Sequence, residues 1–363
     1  MAESLVFTGV GMRTPIGNDA PQSAAVVRAR ISRFAVWPHA TIAGEPLVAS
    51  ALAPLAAPAE WTQFALLSAP QALHEALWQA NVFDGRGLDK RARKLGLYLA
   101  APAEARTASE GAEALDTFRE HGVRDCFEVL AELEPACVEL LPLGNAAGLV
   151  ALDRARRALL EREIDVAVIG AIDSHLDAAW LERLAHEKRL KVGDASGGLV
   201  PGEAAAFAVL ERAPSAAARG ARALGHLAGT AVTNEEQPID AEHPIRAEAL
   251  SLALTTVLAE HERGARVRHV WCDLNGERWR SLEWALAETR CLGALPARAW
   301  TLWTSTESTG DLGAASALVQ LGIALSWPAR GFACGEHQLL ASASFEGARA
   351  VAYLVPSETG PRR

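Results

Sequence analysis

The chain has 363 residues and half of them are hydrophobic, so it can bury a sizeable core in one large domain or two smaller ones. This composition excludes a disordered chain and a small cross-linked scaffold. The net charge of −9 leaves no cationic excess for a nucleic acid backbone or an anionic membrane surface, so we expect neither as a partner.

Cysteine usage and the N-terminal residues predict the cellular compartment. The five cysteines are odd in number and show no Cys-x-x-Cys spacing, which argues against a disulfide framework and a structural zinc site. The first residues, Met-Ala-Glu-Ser-Leu-Val-Phe, carry an acid where a secretory signal has cationic residues, and charged residues interrupt every long apolar stretch. We therefore expect a cytoplasmic protein with no membrane span, no metal and no other cofactor.

The hydrophobic pattern of the first 215 residues predicts strands that alternate with helices. Strands are expected over 5–12, 93–100, 137–143, 164–171 and 204–211, and helices over 20–30, 62–80, 108–120, 149–162 and 178–190. Residues 35–60 contain four prolines and little periodicity, which predicts an irregular surface excursion. Gly9 and Gly11 resemble the start of a dinucleotide-binding loop, but the third glycine is missing at the required spacing, so we expect no nucleotide site.

The same order of elements begins again after an Ala- and Arg-rich connection over 212–222. Strands are expected over 223–232, 267–274, 300–304, 339–344 and 348–355, and helices over 245–261, 279–289 and 312–325. We therefore predict an α/β protein with two βαβ-rich halves, 1–215 and 216–363.

Several strings along the chain carry a family resemblance. They are Thr-Gly-Val-Gly-Met-Arg-Thr-Pro-Ile-Gly-Asn at 8–18, Pro-Gly-Glu-Ala-Ala-Ala-Phe-Ala-Val-Leu-Glu at 201–211, and Thr-Gly-Asp-Leu-Gly-Ala-Ala-Ser at 309–316. In this order they resemble the β-ketoacyl-[acyl carrier protein] synthase branch of the thiolase-like superfamily. The resemblance implies a thiolase-like fold, with two similar halves in α-β-α-β-α layers, and a dimer that pairs an edge strand near 138–143.

The family's chemistry uses a cysteine at the N-terminus of the central helix, two histidines and a lysine. The resemblance aligns the cysteine with Asn145, the histidines with Asn275 and Asp311, and the lysine with Thr306. A carboxamide cannot act as the nucleophile, so no acyl-thioester is expected at Asn145. The protein is therefore expected to be a catalytically inactive relative of the family.

Other residues are candidates for a changed site or a binding surface. Glu307, Cys272 and Phe345 are expected at the pocket, where Asp311 could assist hydrolysis of an acyl-thioester in a residual enzyme. His175 is expected to be a surface or structural group. Trp279 and Trp284, which lie among charged residues, are candidate anchors for a protein partner.

Two binding roles follow from the resemblance. The first is an accessory or adaptor protein for a type VI secretion effector, whose client is a secreted protein. The second is a chain-length-factor-like subunit that pairs with an active ketosynthase in fatty acid or polyketide synthesis and that meets an acyl carrier protein. The dimer is accordingly a homodimer, or a heterodimer with an active ketosynthase.

Overall fold

The structure is a computed structural model, and it describes residues 4–42, 44–52, 61–82, 94–103, 135–236, 239, 243–260, 266–293 and 300–357. The helix expected over 108–120 lies outside these residues. No helix in the described ranges is long and apolar enough to cross a bilayer. The predicted cytoplasmic location and the predicted division of the chain at 215 stay predictions.

Strands and helices alternate along most of the chain, as the hydrophobic pattern predicts. The strands are β1 (Leu5–Arg13), β2 (Ala35–Ile42), β3 (Glu45–Ala49), β4 (Leu95–Ala101), β5 (Cys137–Pro142), β6 (Val166–Ser174), β7 (Glu203–Arg212), β8 (Gly225–Asn234), β9 (Val267–Cys272), β10 (Thr301–Trp303), β11 (His337–Ala343) and β12 (Ala348–Pro356). The α-helices are α1 (Ala20–Arg28), α2 (Trp61–Gln79), α3 (Ala147–Leu160), α4 (Ala178–His186), α5 (Ala213–Arg219), α6 (Glu248–Ala259), α7 (Arg278–Cys291), α8 (Thr306–Thr309) and α9 (Ser316–Ser326).

Ten strands form one hydrogen-bonded sheet in the order β10-β9-β11-β12-β8-β1-β7-β6-β4-β5. When only the strands of this sheet are counted, the order from either edge is the same in each half: third, second, fourth, fifth and first. The strand directions also repeat, because β4 and β9 each have two parallel neighbours, whereas β7 and β12 pair antiparallel on both sides. The predicted similarity of the two halves is confirmed.

The halves join through the short antiparallel pairing of Leu5–Phe7 in β1 with Gly225–Leu227 in β8. Helices α3 and α9 pack between the two halves, where they contact strands of both. Helix α2 covers the outer face of the first half, and α6 and α7 cover the outer face of the second. These five layers match the predicted α-β-α-β-α arrangement.

Two segments differ from the sequence prediction. Residues 35–42 and 45–49 form the antiparallel pair of β2 and β3, in which Ala35 pairs with Ala49, instead of an irregular excursion. Both of its strands are edges of a two-stranded sheet, where proline removes no obligatory hydrogen bond. The expected connection over 212–222 contains α5, which has a proline in its first turn and ends at Gly220 in the left-handed conformation.

The glycines of β1 are explained by packing and not by a nucleotide site. A Cβ atom on Gly9 would lie 2.0 Å from the carbonyl oxygen of Ala76, and one on Gly11 would lie 2.1 Å from that of Ala72. Both carbonyls belong to α2, so the backbone of this helix lies directly on the backbone of β1. Only glycine leaves room for this contact.

We expect Gly9→Ala to lower the free energy of unfolding by about 3 kcal/mol, because the methyl group forces α2 away from β1. The matched control is Gly220→Ala, where no atom lies within 4 Å and only the positive φ is penalised, by about 1 kcal/mol. Chemical denaturation of both variants measures the difference. Equal losses would contradict the close packing of α2 on β1.

Candidate functional site

Asn145 lies at the start of the central helix α3. The segment Gly144–Ala146 forms a 3₁₀ turn that runs directly into α3. Ser344 fixes this turn, because its hydroxyl accepts a hydrogen bond from the Ala146 N–H at 2.8 Å and donates one to the carbonyl oxygen of Leu143. The Asn145 side chain is half-buried and lines a cavity between the two halves.

Asp311 is held opposite Asn145 by the backbone of 200–202. The Asp311 N–H donates to the Val200 carbonyl at 2.7 Å, and the Gly202 N–H donates to the Asp311 carbonyl at 2.9 Å. Gly310 makes the turn before Asp311 with a φ of +69°, and a Cβ atom there would lie 2.6 Å from the Val200 oxygen. The two strings that carry much of the family resemblance, 201–211 and 309–316, are therefore neighbours in space.

The Asp311 carboxylate is the centre of a hydrogen-bond network. Its Oδ1 atom accepts from Asn145 Nδ2 at 3.0 Å and from the Gly313 N–H at 2.9 Å. Its Oδ2 atom accepts from Asn275 Nδ2 at 2.6 Å. The structure thus brings together three of the four residues that the resemblance aligns with catalytic positions.

The environment keeps Asp311 ionised. Burial by itself raises the pKa of this carboxyl, but His175, Arg280 and the Asn275 amide together hold the pKa well below its usual range. The carboxylate therefore stays negative at neutral pH. Both of its oxygens already accept hydrogen bonds, which leaves little capacity to take a proton from water.

A second contact chain runs from Asn275 to Phe345. Asn275 Nδ2 also donates to Glu277 Oε2 at 2.9 Å, and Arg189 donates to both Glu277 oxygens at 2.6 and 3.2 Å. The Arg189 guanidinium lies 4.2 Å from the centroid of the Phe345 ring. Phe345 lines the cavity, as the sequence predicts, and Arg189, which is paired with Glu277, lies over its ring.

The cavity at the start of α3 is small. Its walls include Asn145, His175, Arg189, Asp311 and Phe345, and its volume is about 30 Å³. This volume suits one or two water molecules. The cavity that these described residues line is smaller than an acyl chain requires.

Three predicted site residues lie elsewhere. Thr306 is buried and donates its hydroxyl hydrogen bond to the Leu274 carbonyl, so it caps a strand end and does not line the cavity. Glu307 is exposed, because it lies on the outer side of the short helix α8, so the prediction that it faces the pocket is wrong. Cys272 packs in the core of the second half, where burial raises the pKa of its thiol, so the prediction that it lies at the pocket is also wrong.

His175 is a site residue that the sequence analysis missed. It follows directly after β6, and its Nε2 atom lies 3.5 Å from Asp311 Oδ1. Its Nδ1 atom accepts a hydrogen bond from the indole N–H of Trp180 at 2.8 Å, which fixes the orientation of the ring. The available signal was its place at the carboxyl end of a fully buried strand, where side chains of parallel sheets converge.

The two tryptophans predicted as partner anchors have different environments. Trp284 is 3% exposed and packs against Leu254 and Val257 of α6, so its prediction as a surface anchor is wrong. Trp279 is half-buried, with the Arg280 guanidinium 4.5 Å from its ring. A role of Trp279 in partner binding stays a prediction.

Comparisons with known proteins identify the fold. No protein-family model and no curated protein matches the sequence. A chain of a type II polyketide synthase complex, described as an acyl carrier protein with its ketosynthase bound to the hexaketide, superposes with a TM-score of 0.79 at 18% identity, covering 99% of this chain and 100% of that one. The chain has the ketosynthase fold.

Other solved structures agree. The ishigamide ketosynthase/chain length factor superposes with a TM-score of 0.74 at 17% identity and covers 98% of this chain and 100% of that chain. A ketosynthase from module 6 of the bacillaene synthase of Bacillus subtilis 168 gives a TM-score of 0.78 at 15% identity, over 98% of this chain and 72% of that chain. The thiolase-like fold predicted from the sequence strings is confirmed.

No cluster of three or more His, Cys, Asp or Glu side chains able to hold a metal ion occurs within the described ranges. The polar groups of the cavity are instead directed at one another. Asp311 is the acceptor that Asn145 and Asn275 share, so it is the group on which the site's geometry depends.

We expect Asp311→Asn to lower the free energy of unfolding by about 3 kcal/mol. The new amide places an N–H donor against the N–H group of Asn275 or Asn145. It also removes hydrogen bonds to a charged acceptor, and each such bond is typically worth about 1.5–3 kcal/mol. Denaturant titration measures the change. Glu307→Gln, an equal change of charge at an exposed site four residues away, should stay within about 0.5 kcal/mol of the parent; a comparable loss there would refute a special role for Asp311.

Proposed function

We propose that this protein is a ketosynthase-fold subunit that forms no acyl intermediate and acts by binding other proteins. The observation that carries the proposal is the hydrogen bond from the Asn145 amide to the Asp311 carboxylate at the start of the central helix. The aligned nucleophile position thus carries a group that cannot form a thioester and that is engaged in a structural contact.

The arrangement also weakens the case for a residual hydrolase based on Asp311. A general base must accept a proton from water in a substrate complex. The Asp311 carboxylate is strongly stabilised in its ionised form, and its oxygens accept from Asn145, Asn275 and the Gly313 N–H. These contacts make it a fixed acceptor and a poor base.

A chain-length-factor-like role beside an active ketosynthase is the partner assignment with the most support. Chains of a ketosynthase/chain length factor structure and of a ketosynthase–acyl carrier protein complex are matched over their full length. Among the described residues β5 is the last strand of the sheet, and Val138 on it is 40% exposed. An exposed edge strand with an apolar side chain is suited to pairing with a second subunit.

The alternative role as an adaptor for a type VI secretion effector is favoured by one observation. The cavity between Asn145 and Phe345 has a volume of about 30 Å³, enough for one or two water molecules, whereas a subunit that shapes an acyl tunnel needs more space. In this role the fold serves as a binding scaffold for a protein client, and an acyl carrier protein is not a partner.

Intact-mass spectrometry after incubation with acyl-CoA tests the absence of an acyl intermediate. The parent protein should gain no acyl mass. Cys334 is an exposed thiol that could react without catalysis, so Cys334→Ser is the matched control. An acyl adduct that persists in Cys334→Ser, or turnover of acyl-CoA that Asp311→Ala abolishes, would overturn the proposal.

Pairing through β5 predicts that Val138→Arg separates the subunits. An arginine at this exposed position is tolerated by the folded subunit, but its unpaired charge would have to be buried when two subunits pair. Light scattering after size exclusion should show a smaller mass for Val138→Arg, alone or co-expressed with a candidate ketosynthase. Leu252→Arg, at a 59% exposed leucine on α6, should leave the mass unchanged.

Affinity purification from the native host then separates the two partner assignments. Recovery of an active ketosynthase that depends on Val138 supports the chain-length-factor-like role. Recovery of a secreted effector, with no ketosynthase, supports the adaptor role. An unchanged mass for Val138→Arg excludes β5 as the interface in either case.

A further inference from the structure

A groove at the end of α1 differs in charge from the rest of this acidic chain. It has a volume of about 410 Å³ and lies between α1 and the 3₁₀ turn Pro328–Arg330, which follows α9. Its walls are three alanines of the α1 segment, the buried Trp327, and the exposed Arg28 and Arg330. The groove is large enough for several side chains of a partner.

Two arginines at the end of α1 lie over aromatic rings: Arg28, which lines the groove, and Arg30, which follows the groove-lining Ala29. The Arg28 guanidinium lies 4.5 Å from the centroid of Phe332, and the Arg30 guanidinium lies 5.5 Å from that of Trp303. Phe332 and Trp303 both pack against Trp327, so the two guanidiniums lie over one aromatic cluster. Stacking of this kind fixes a guanidinium while its N–H donors stay available for hydrogen bonds.

The end of α1 supports the same interpretation. The N–H of Arg30 donates to the Val27 carbonyl and the N–H of Ile31 donates to the Val26 carbonyl, which is a Schellman motif. Arg30 occupies its left-handed position with a φ of +54°, where glycine is usual and a side chain is penalised by about 1 kcal/mol. Arg30 therefore destabilises the backbone at this turn, and its guanidinium lies over the Trp303 ring.

Within the described ranges no carboxylate lies within salt-bridge distance of Arg28, Arg30 or Arg330. Glu336 is hydrogen-bonded at 2.6 Å to His269, whose ring packs against this aromatic cluster. Buried arginines elsewhere are paired: Arg280 with Asp273, and Arg349 with Glu283. The guanidiniums of Arg28 and Arg330 at the groove, and of Arg30 beside it, therefore have no acidic partner among the described residues.

We infer that this groove docks an acidic segment of a protein partner, whose carboxylates pair with Arg28, Arg30 and Arg330 and whose apolar side chains enter the groove over Trp327. Arginine pairs with carboxylates through two parallel hydrogen bonds, which suits a site that must fix the register of a peptide. A local positive patch on a chain of net charge −9 also orients an acidic partner during approach, because the remaining surface repels it.

The test uses the full chain and a short fluorescein-labelled helical peptide that carries glutamates on one face and leucines on the other. Fluorescence anisotropy should show binding that weakens as salt rises. Arg330→Gln, which removes an exposed charge without touching the rings, should weaken binding about fivefold, and Arg28→Gln with Arg330→Gln should weaken it by about tenfold or more. Arg246→Gln, an equal charge change near the start of α6, should bind as the parent does.

Three results would each overturn the inference. They are no binding by the parent, equal binding of the parent and the double variant, and equal binding of a peptide with glutamine in place of glutamate. Tighter binding of a single-stranded oligonucleotide or of an anionic vesicle than of the acidic peptide would assign the groove to another class of partner and would also overturn it. Thermal unfolding of each variant confirms that the change in binding does not arise from a loss of fold.

Discussion

The buried Asp311 carboxylate is the contact on which the geometry of the site depends. It lies between the halves, since Asn145 and His175 come from the first and Asn275 from the second. A buried charge is tolerated only where donors surround it. Loss of any one of these contacts therefore leaves the buried charge poorly solvated. A substitution at one of the three side chains is expected to destabilise the same carboxylate as a substitution at the others.

A second buried acid extends this constraint away from the cavity. Asp273 Oδ2 accepts from Arg280 at 2.7 Å and from the Ser342 hydroxyl at 2.6 Å. The same Ser342 hydroxyl lies 2.9 Å from the carbonyl oxygen of Asn145. The Ser342 hydroxyl has one proton and so donates to one of these two acceptors at a time; it places Asp273 beside the start of the central helix, whereas Asp311 accepts directly from the Asn145 side chain. Such a network favours a single arrangement over movement during a reaction cycle.

Much of the fold could be predicted from the sequence because its strands are continuous apolar runs. β6 and β7 are buried along their whole length, so their position required no knowledge of neighbours. The shared location of Asn145 and Asp311 followed from the aligned strings, whereas the hydrogen bond between them is a finding of the structure. His175 and Trp284 did not, because their surroundings depend on how separate elements pack: His175 needs Asp311 across the sheet, and Trp284 is covered by α6. Glu307 also differs, because residues 306–309 form a helical turn that buries Thr306, Ser308 and Thr309 and leaves Glu307 exposed.

The repeated strand order gives the sheet two topologically equivalent edges, β5 and β10, but they differ in length. β5 has six residues and β10 has three. A chain with two long edges could add copies at both ends and grow into a filament, since head-to-tail contacts do not close. The short β10 offers too few backbone groups for such growth, so any pairing through β5 stops at two subunits. The two edges of the sheet therefore differ in how many backbone groups they leave open for pairing.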